Sequence, residues 1–310
     1  MKLKIFIVVA HENWICDRLA KEWNDFFKTV DDPYEADIIW IMSPYIWRTV
    51  PIELLKKKII CTTIHHITPW KFTKDSFRDF LDRDNFVDCY HVPCEKTKES
   101  VKKLTKKQIF VNPFWVNQKL WYHIDKAQAR KDLGLAEDEF VVGSFQRDTE
   151  GSDLKTPKLE KGPDIFCDII ENLATQKENL SILLSGFRRQ YVINRLKKAD
   201  IKYYYYEKTD FETLNKLYNS LDLYVVSSRC EGGPQAIVEA AATKTPIVST
   251  DVGLAKAILS DKSIFSPSSS LGTPDVDYAY DRVLELMTPQ GFEPFVSFFM
   301  NKLKEKNENY

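Results

Sequence analysis

Short apolar runs alternate with stretches of helical period along the whole chain. In the first part the runs are Lys4–Ala10, Asp37–Met42, Lys58–Ile64, Val87–Val92 and Gln108–Asn112. Runs of this length, bounded by polar and turn-forming residues, predict buried strands. Between them Ile15–Phe27 and Phe72–Leu81 carry apolar residues at helical spacing. An aromatic, strand-poor stretch, Asn112–Asp125, reads as a connection between domains. A second series follows at Phe140–Phe145, Leu180–Ser185, Ile201–Tyr206, Asp222–Val226 and Pro246–Ser249, with a weaker member at Ser263–Phe265. Pro163–Leu173 and Phe211–Asn219 are the helices expected between its strands, and Tyr278–Met287 and Phe292–Lys304 the helices of the tail. Residues 304–310 read as disordered. Alternation of this kind belongs to parallel α/β units. The expectation is therefore two doubly wound, Rossmann-like halves facing a central cleft. The first spans 1–113 and is completed by a C-terminal helix at 290–305; the second spans 114–289.

Composition narrows the function classes. With 44% hydrophobic and 29% charged residues the 310-residue chain has ample material for a globular core. Its 44 basic and 45 acidic residues nearly cancel, which speaks against nucleic acid as a partner. The N-terminal apolar run stops at His11-Glu12-Asn13 and reads as a first strand rather than a signal peptide. No stretch approaches the roughly 20 apolar residues of a membrane span. The cysteines form no C-x-x-C pair, as expected of reduced thiols in a cytoplasmic protein. The lysine-rich segment 94–108 predicts a helix. A solvated surface is the commoner meaning of such a run; the alternative is peripheral contact with an anionic membrane face.

The most informative segment is 221–253, LDLYVVSSRCEGGPQAIVEAAATKTPIVSTDVG. A buried strand leads into a Glu-Gly-Gly-Pro turn and then an Ala-rich helix near Pro234. Gly232 and Gly233 let backbone amides approach a ligand closely, and a helix start offers free N–H groups to phosphate. Glu231 and Glu239 flank the turn with seven residues between them. A carboxylate at such a place suits two adjacent sugar hydroxyls, so the segment suggests a polyhydroxylated, phosphate-bearing ligand. No His or Cys spacing suggests a metal site.

Over Val141–Gly253 the chain resembles retaining glycosyltransferases of the GT-B fold, family 4. VGSFQRD, EKGPDIF and LSILLSGF are similar to successive signatures of that family, and 217–253 to its longest one. KIICTTIHHITPW and VDCYHVPCEKTKESV resemble first-domain signatures more weakly. The usual Gly-rich loop after the first strand is absent; HENW stands at 11–14.

The resemblance implies a metal-independent hexosyltransferase that takes its sugar from a UDP- or GDP-linked donor, needs no further cofactor, and retains anomeric configuration. The acceptor would be a glycan, a lipid-linked sugar or a protein. Arg147 and Lys161 would contact the diphosphate, with Lys155 or Lys158 as substitutes because thirteen residues separate Arg147 from Lys161. Glu239 would hold the ribose and Glu231 the sugar. Ser228, Gly143, Gly232 and Gly233 would complete the donor site. His65, or its neighbour His66, would stand near the transferred sugar and acceptor. The competing readings are a nucleotide-sugar epimerase of the same fold and a non-catalytic nucleotide-sugar-binding subunit.

Overall fold

The computed structural model describes residues 3–151 and 153–308. They form two units. One comprises the residues up to Trp115 together with those from Thr288 onward; the other runs from Val116 to Met287.

The first unit contains β1 (Ile5–Val8), α1 (Ile15–Phe26), β2 (Ile38–Ile41), α2 (Ile52–Lys57), β3 (Ile59–Thr63), α3 (Lys74–Asp84), β4 (Cys89–Val92), α4 (Glu95–Val101) and β5 (Gln108–Val111). All five strands are parallel, and their order in the sheet is their order in the chain. This differs from the doubly wound order expected, in which strands grow outward from β1 in both directions. It is the order left when the strand pair beyond β1 is omitted. Side-chain alternation along the strands separates two cores. Ile38, Trp40 and Cys61 pack with Leu19 and Trp23 of α1, whereas Ile39, Ile41 and Ile60 pack with Leu54 of α2, Phe80 of α3 and Val101 of α4. Every crossover steps the same way across the sheet, so the β1–α1–β2 crossover has the opposite hand to those after it.

The face that carries α1 is closed by α12 of the tail (Glu293–Glu308). Trp23, Trp40, Trp115, Phe292, Phe295 and Phe299 form one buried aromatic cluster there, mostly in edge or tilted contacts at 4.5–6.4 Å between centroids. Such geometries suit the ring quadrupoles. The Trp115 indole donates to Glu22 Oε2 at 2.8 Å and the Trp40 indole to Thr63 Oγ1 at 2.9 Å, so neither buried N–H is orphaned. The helix runs to Glu308, beyond the point at which disorder was expected, and Lys306 donates to the Lys57 carbonyl. Positions 309 and 310 of that expected tail lie outside the described residues.

The second unit contains α5 (Lys126–Leu133), β6 (Phe140–Ser144), α6 (Pro163–Ala174), β7 (Leu180–Ser185), α7 (Gln190–Lys198), β8 (Lys202–Tyr206), α8 (Phe211–Asn219), β9 (Leu223–Val226), α9 (Gln235–Ala242), β10 (Ile247–Thr250), α10 (Ala255–Ile258), β11 (Ile264–Phe265) and α11 (Val276–Leu284). Its parallel sheet has the order β11-β10-β9-β6-β7-β8, the doubly wound arrangement that reverses between β6 and β9. α6 and α7 bury Phe166, Ile170, Val192 and Leu196 on one face; on the other, Tyr218 of α8 meets Tyr224 of β9 at 5.3 Å.

The stretch read as a connection passes from the first unit to the second between Trp115 and Val116, and its later part packs on the second: Tyr122 and Ile124 donate backbone N–H groups to Asn215 and Asn219 of α8. A further expectation needs correction. The lysine-rich helix ends at Val101 rather than reaching 108. Thr105 turns the chain there, accepting from Lys107 N and donating to Asp84. No helix among the described residues is long and apolar enough to cross a membrane.

Candidate functional site

In an open α/β sheet, ligands bind beyond the strand C-termini where the strand order reverses. In the second unit that point lies between β6, which leads to Gln146 and Arg147, and β9, which leads to Ser227–Pro234. A third segment, 158–163, enters the same corner as a short turn ahead of α6. Gly162 makes this approach feasible. Its φ is +62°, and a Cβ on it would stand 1.9 Å from the Ser227 carbonyl oxygen. Ser227 Oγ donates to Gly162 O at 2.8 Å, and Arg229 N to Glu160 O at 2.8 Å, fastening the start of α6 to the β9–α9 loop. Gly253 plays the matching part on the other side, with φ +52° and a would-be Cβ 2.2 Å from Gly232 O.

Around this corner four side chains form a closed network. The Lys161 ammonium pairs with Glu231 Oε2, and the Ser228 hydroxyl donates to Glu231 Oε1. Gln146 Oε1 stands 3.2 Å from Ser228 Oγ, while its amide donates to the Lys161 carbonyl at 2.9 Å. Ser228 is itself fixed, because Thr250 Oγ1 donates to its carbonyl at 2.5 Å. Arg147 and Lys161 line one narrow crevice. The Arg147 Nε donates to Thr149 O at 2.7 Å, and burial, with Arg188 nearby, holds the guanidinium below its ordinary range. An arginine so placed keeps its charge.

The structure thus brings Arg147, Lys161, Ser228 and Glu231 together. Of the substitute lysines, Lys158 turns its half-buried ammonium toward Glu160 at 3.4 Å, and Lys155 is exposed. Glu239 lies in the second turn of α9, buried, with Tyr218 OH donating to its Oε2 at 2.9 Å. Gly232 and Gly233 lie in the turn between. Gly143 sits within β6, where a Cβ would meet the Leu221 side chain at 2.3 Å, so packing against Leu221 favours glycine there. His65 belongs to the first unit and the other candidates to the second. Its Nε2 lies 2.9 Å from the Met42 carbonyl, and burial pushes its pKa down, so the ring is neutral with its proton on Nε2. His66 is exposed. Among the described residues no group of three His, Cys, Asp or Glu could hold a metal ion.

Sequence reasoning missed three contributors. Gln146 and Ser227 lie within VGSFQRD and the 217–253 segment, but nothing in the spacing singled them out. Arg189 is fully buried and binds Asp148 Oδ2 at 3.2 Å, Ser185 O at 2.9 Å and Ser144 Oγ at 3.2 Å, joining the ends of β6 and β7 behind Arg147. The doubled arginine at 188–189 was its only trace.

Comparison with known proteins finds similarity over much of the second unit. Residues 153–288 match the family of group 1 glycosyl transferases. A lipopolysaccharide core biosynthesis mannosyltransferase of Rhizobium meliloti, LpsB, is 29% identical over 137 residues, which are 42% of this chain and 36% of that protein. The match therefore spans about a third of the relative's length. Among solved structures, the sucrose-phosphate synthase of Thermosynechococcus elongatus superposes with a TM-score of 0.67 at 17% identity, over 94% of this chain and 76% of that one. The HepE protein of Anabaena, in complex with UDP, gives 0.66 at 16% identity, over 94% and 82%. The fold is that of the GT-B glycosyltransferases, with two parallel-sheet, Rossmann-like domains.

Proposed function

We propose that this chain is a retaining glycosyltransferase. It moves a hexose-type sugar from a UDP- or GDP-linked donor to a hydroxyl of a glycan, lipid-linked or protein acceptor, without a metal ion. The observation that carries the reading is the Lys161–Glu231–Ser228–Gln146 network at the strand-order reversal, with Arg147 beside it. The match at 153–288 and the UDP bound by HepE support it. Charge develops on the departing diphosphate, and pre-placed cations stabilise it without reorganisation. Arg147 and Lys161 supply that charge. Glu231 holds Lys161 until the donor arrives and then accepts from hydroxyls of the sugar. Glu239 accepts from the ribose, exchanging its bond from Tyr218. The diphosphate takes the acceptor proton as it leaves, so no protein nucleophile is required, and His65 orients the acceptor or the transferred sugar. The reaction is assigned to the cytoplasm or its membrane face.

A thermal-shift screen against UDP, GDP and their sugars tests the donor. One nucleotide should stabilise the chain with EDTA present. No response to any of them defeats the reading, and an inverted anomeric proton signal in the product defeats retention.

A further inference from the structure

The loop between β1 and α1 has no glycine, yet two of its residues, His11 and Asn13, adopt left-handed backbone with φ of +55° and +57°. Non-glycine residues held this way are uncommon and tend to cluster where a loop shapes a site. Here the loop delivers Trp14 to the rim of a 320 Å³ cavity in the first unit, which Tyr45, from the segment after β2, also lines. Both rings are exposed, at 58% and 60%. Tyr45 OH donates to Glu12 Oε2 at 3.0 Å, and the Trp14 backbone N–H to Asp17 Oδ2 at 3.1 Å, fixing the ring-bearing segments. Glu12 and Asp17 are the charged residues of the lining, which contains no lysine or arginine; His65, at the back, is neutral.

Ligand sites start at about 300 Å³, so the cavity suits one small ring rather than a chain. Large aromatic faces at its mouth offer apolar contact to a flat ligand, and the carboxylates accept hydrogen bonds from several hydroxyls. The same carboxylates repel anions. We propose that this cavity binds an uncharged pyranose ring, packed on Trp14 and Tyr45 with hydroxyls on Glu12 and Asp17, and excludes phosphate and acidic sugars. The inference rests on the glycosyltransferase reading only in making that ring part of the acceptor.

The test is NMR of the full chain labelled at its indole nitrogens, with the Trp14 signal assigned through Trp14→Phe. Methyl α-D-glucopyranoside and methyl α-D-mannopyranoside should shift that signal saturably. Tyr45→Ala should weaken the response about tenfold or more, the scale of one lost contact surface, with the Trp40 and Trp115 signals unmoved as proof of folding. Inorganic phosphate and methyl α-D-glucuronide should leave Trp14 in place, and Glu12→Gln should let the glucuronide shift it. A Trp14 signal that ignores both neutral glycosides, or follows phosphate or the glucuronide in the unmutated chain, overturns the proposal. The donor reading is checked on the same sample with UDP and GDP. A nucleotide response with an unmoved Trp14 sinks the cavity assignment alone, and a moved Trp14 without one sinks the donor reading alone.

Discussion

Lys161 and Glu231 stand seventy positions apart in the chain and form an ion pair in the second unit, with Ser228 on the other carboxylate oxygen. On the proposed reading, a bound anion would take the place of Glu231 as the partner of Lys161. Lys161→Ala should lower kcat/KM about 10²- to 10³-fold, the range for losing one donor to a developing anion. Glu231→Gln should lower kcat while leaving nucleotide affinity unchanged or higher, because Lys161 is then unpaired. Steady-state kinetics with UDP or GDP titrations separate the two.

Glu239 makes a second, different prediction. Its replacement by Ala removes the carboxylate acceptor of the buried Tyr218 hydroxyl and leaves Tyr224 beside it, which should destabilise the chain by about 1–3 kcal/mol. It should also remove most of the thermal shift that nucleotide produces. A lower melting point with an undiminished nucleotide shift would separate Glu239 from the ribose.

Three glycines with positive φ should respond unequally to alanine. At Gly134 the space is open, so only backbone strain of about 1 kcal/mol opposes the change. At Gly162 and Gly253 a methyl group meets a carbonyl oxygen, so losses of about 2–3 kcal/mol or more are expected, together with lost activity. Urea unfolding of the three variants gives the ranking directly.

The Asp148–Arg189 pair is buried on both sides. Burial pushes the Asp148 carboxyl above its ordinary range even though Arg189 draws it down. Asp148→Asn leaves a buried guanidinium unpaired and should cost about 3–5 kcal/mol. The double change Asp148→Leu, Arg189→Met should cost less than either single change, as a double-mutant cycle would show.

Acid stability should depend on His91. It is fully buried among Trp40, Phe110, Phe114 and Phe295, with Asn112 O 2.8 Å from Nε2. Desolvation pushes its pKa down to about 3 from the ordinary 6.5. Between those values the unfolded chain binds a proton that the folded chain does not. Stability is then complete above about 6.5 and falls by up to about 1.4 kcal/mol per pH unit below it. His65, also pushed down by burial, adds to the same slope. Denaturation between pH 7 and 4 should give a flatter dependence in His91→Phe.

Strand positions were legible because each β-strand here is a short apolar run between polar turns, as at Leu180–Ser185. The candidate corner was legible because 221–253 supplies a strand, a glycine turn and a helix start consecutively. What periodicity does not encode is order within a sheet. Nothing in Lys4–Ala10 announces that β1 is an edge among the described residues, since that depends on which strands pair with it. The roles of Gln146 and Ser227 were not singled out for a related reason: their partners, Lys161 O and Gly162 O, are backbone atoms brought near only by the fold.

The helix that closes the aromatic face of the first unit has a consequence for biosynthesis. Residues 292–303 are translated after the whole second unit, whose own residues are contiguous. The N-terminal sheet therefore emerges from the ribosome before the Phe292, Phe295 and Phe299 rings that pack on Trp23 and Trp40, whereas the residues of the second unit are complete by then. Nascent chains arrested ahead of Phe292 should be cut by protease within their oldest residues while the younger domain resists.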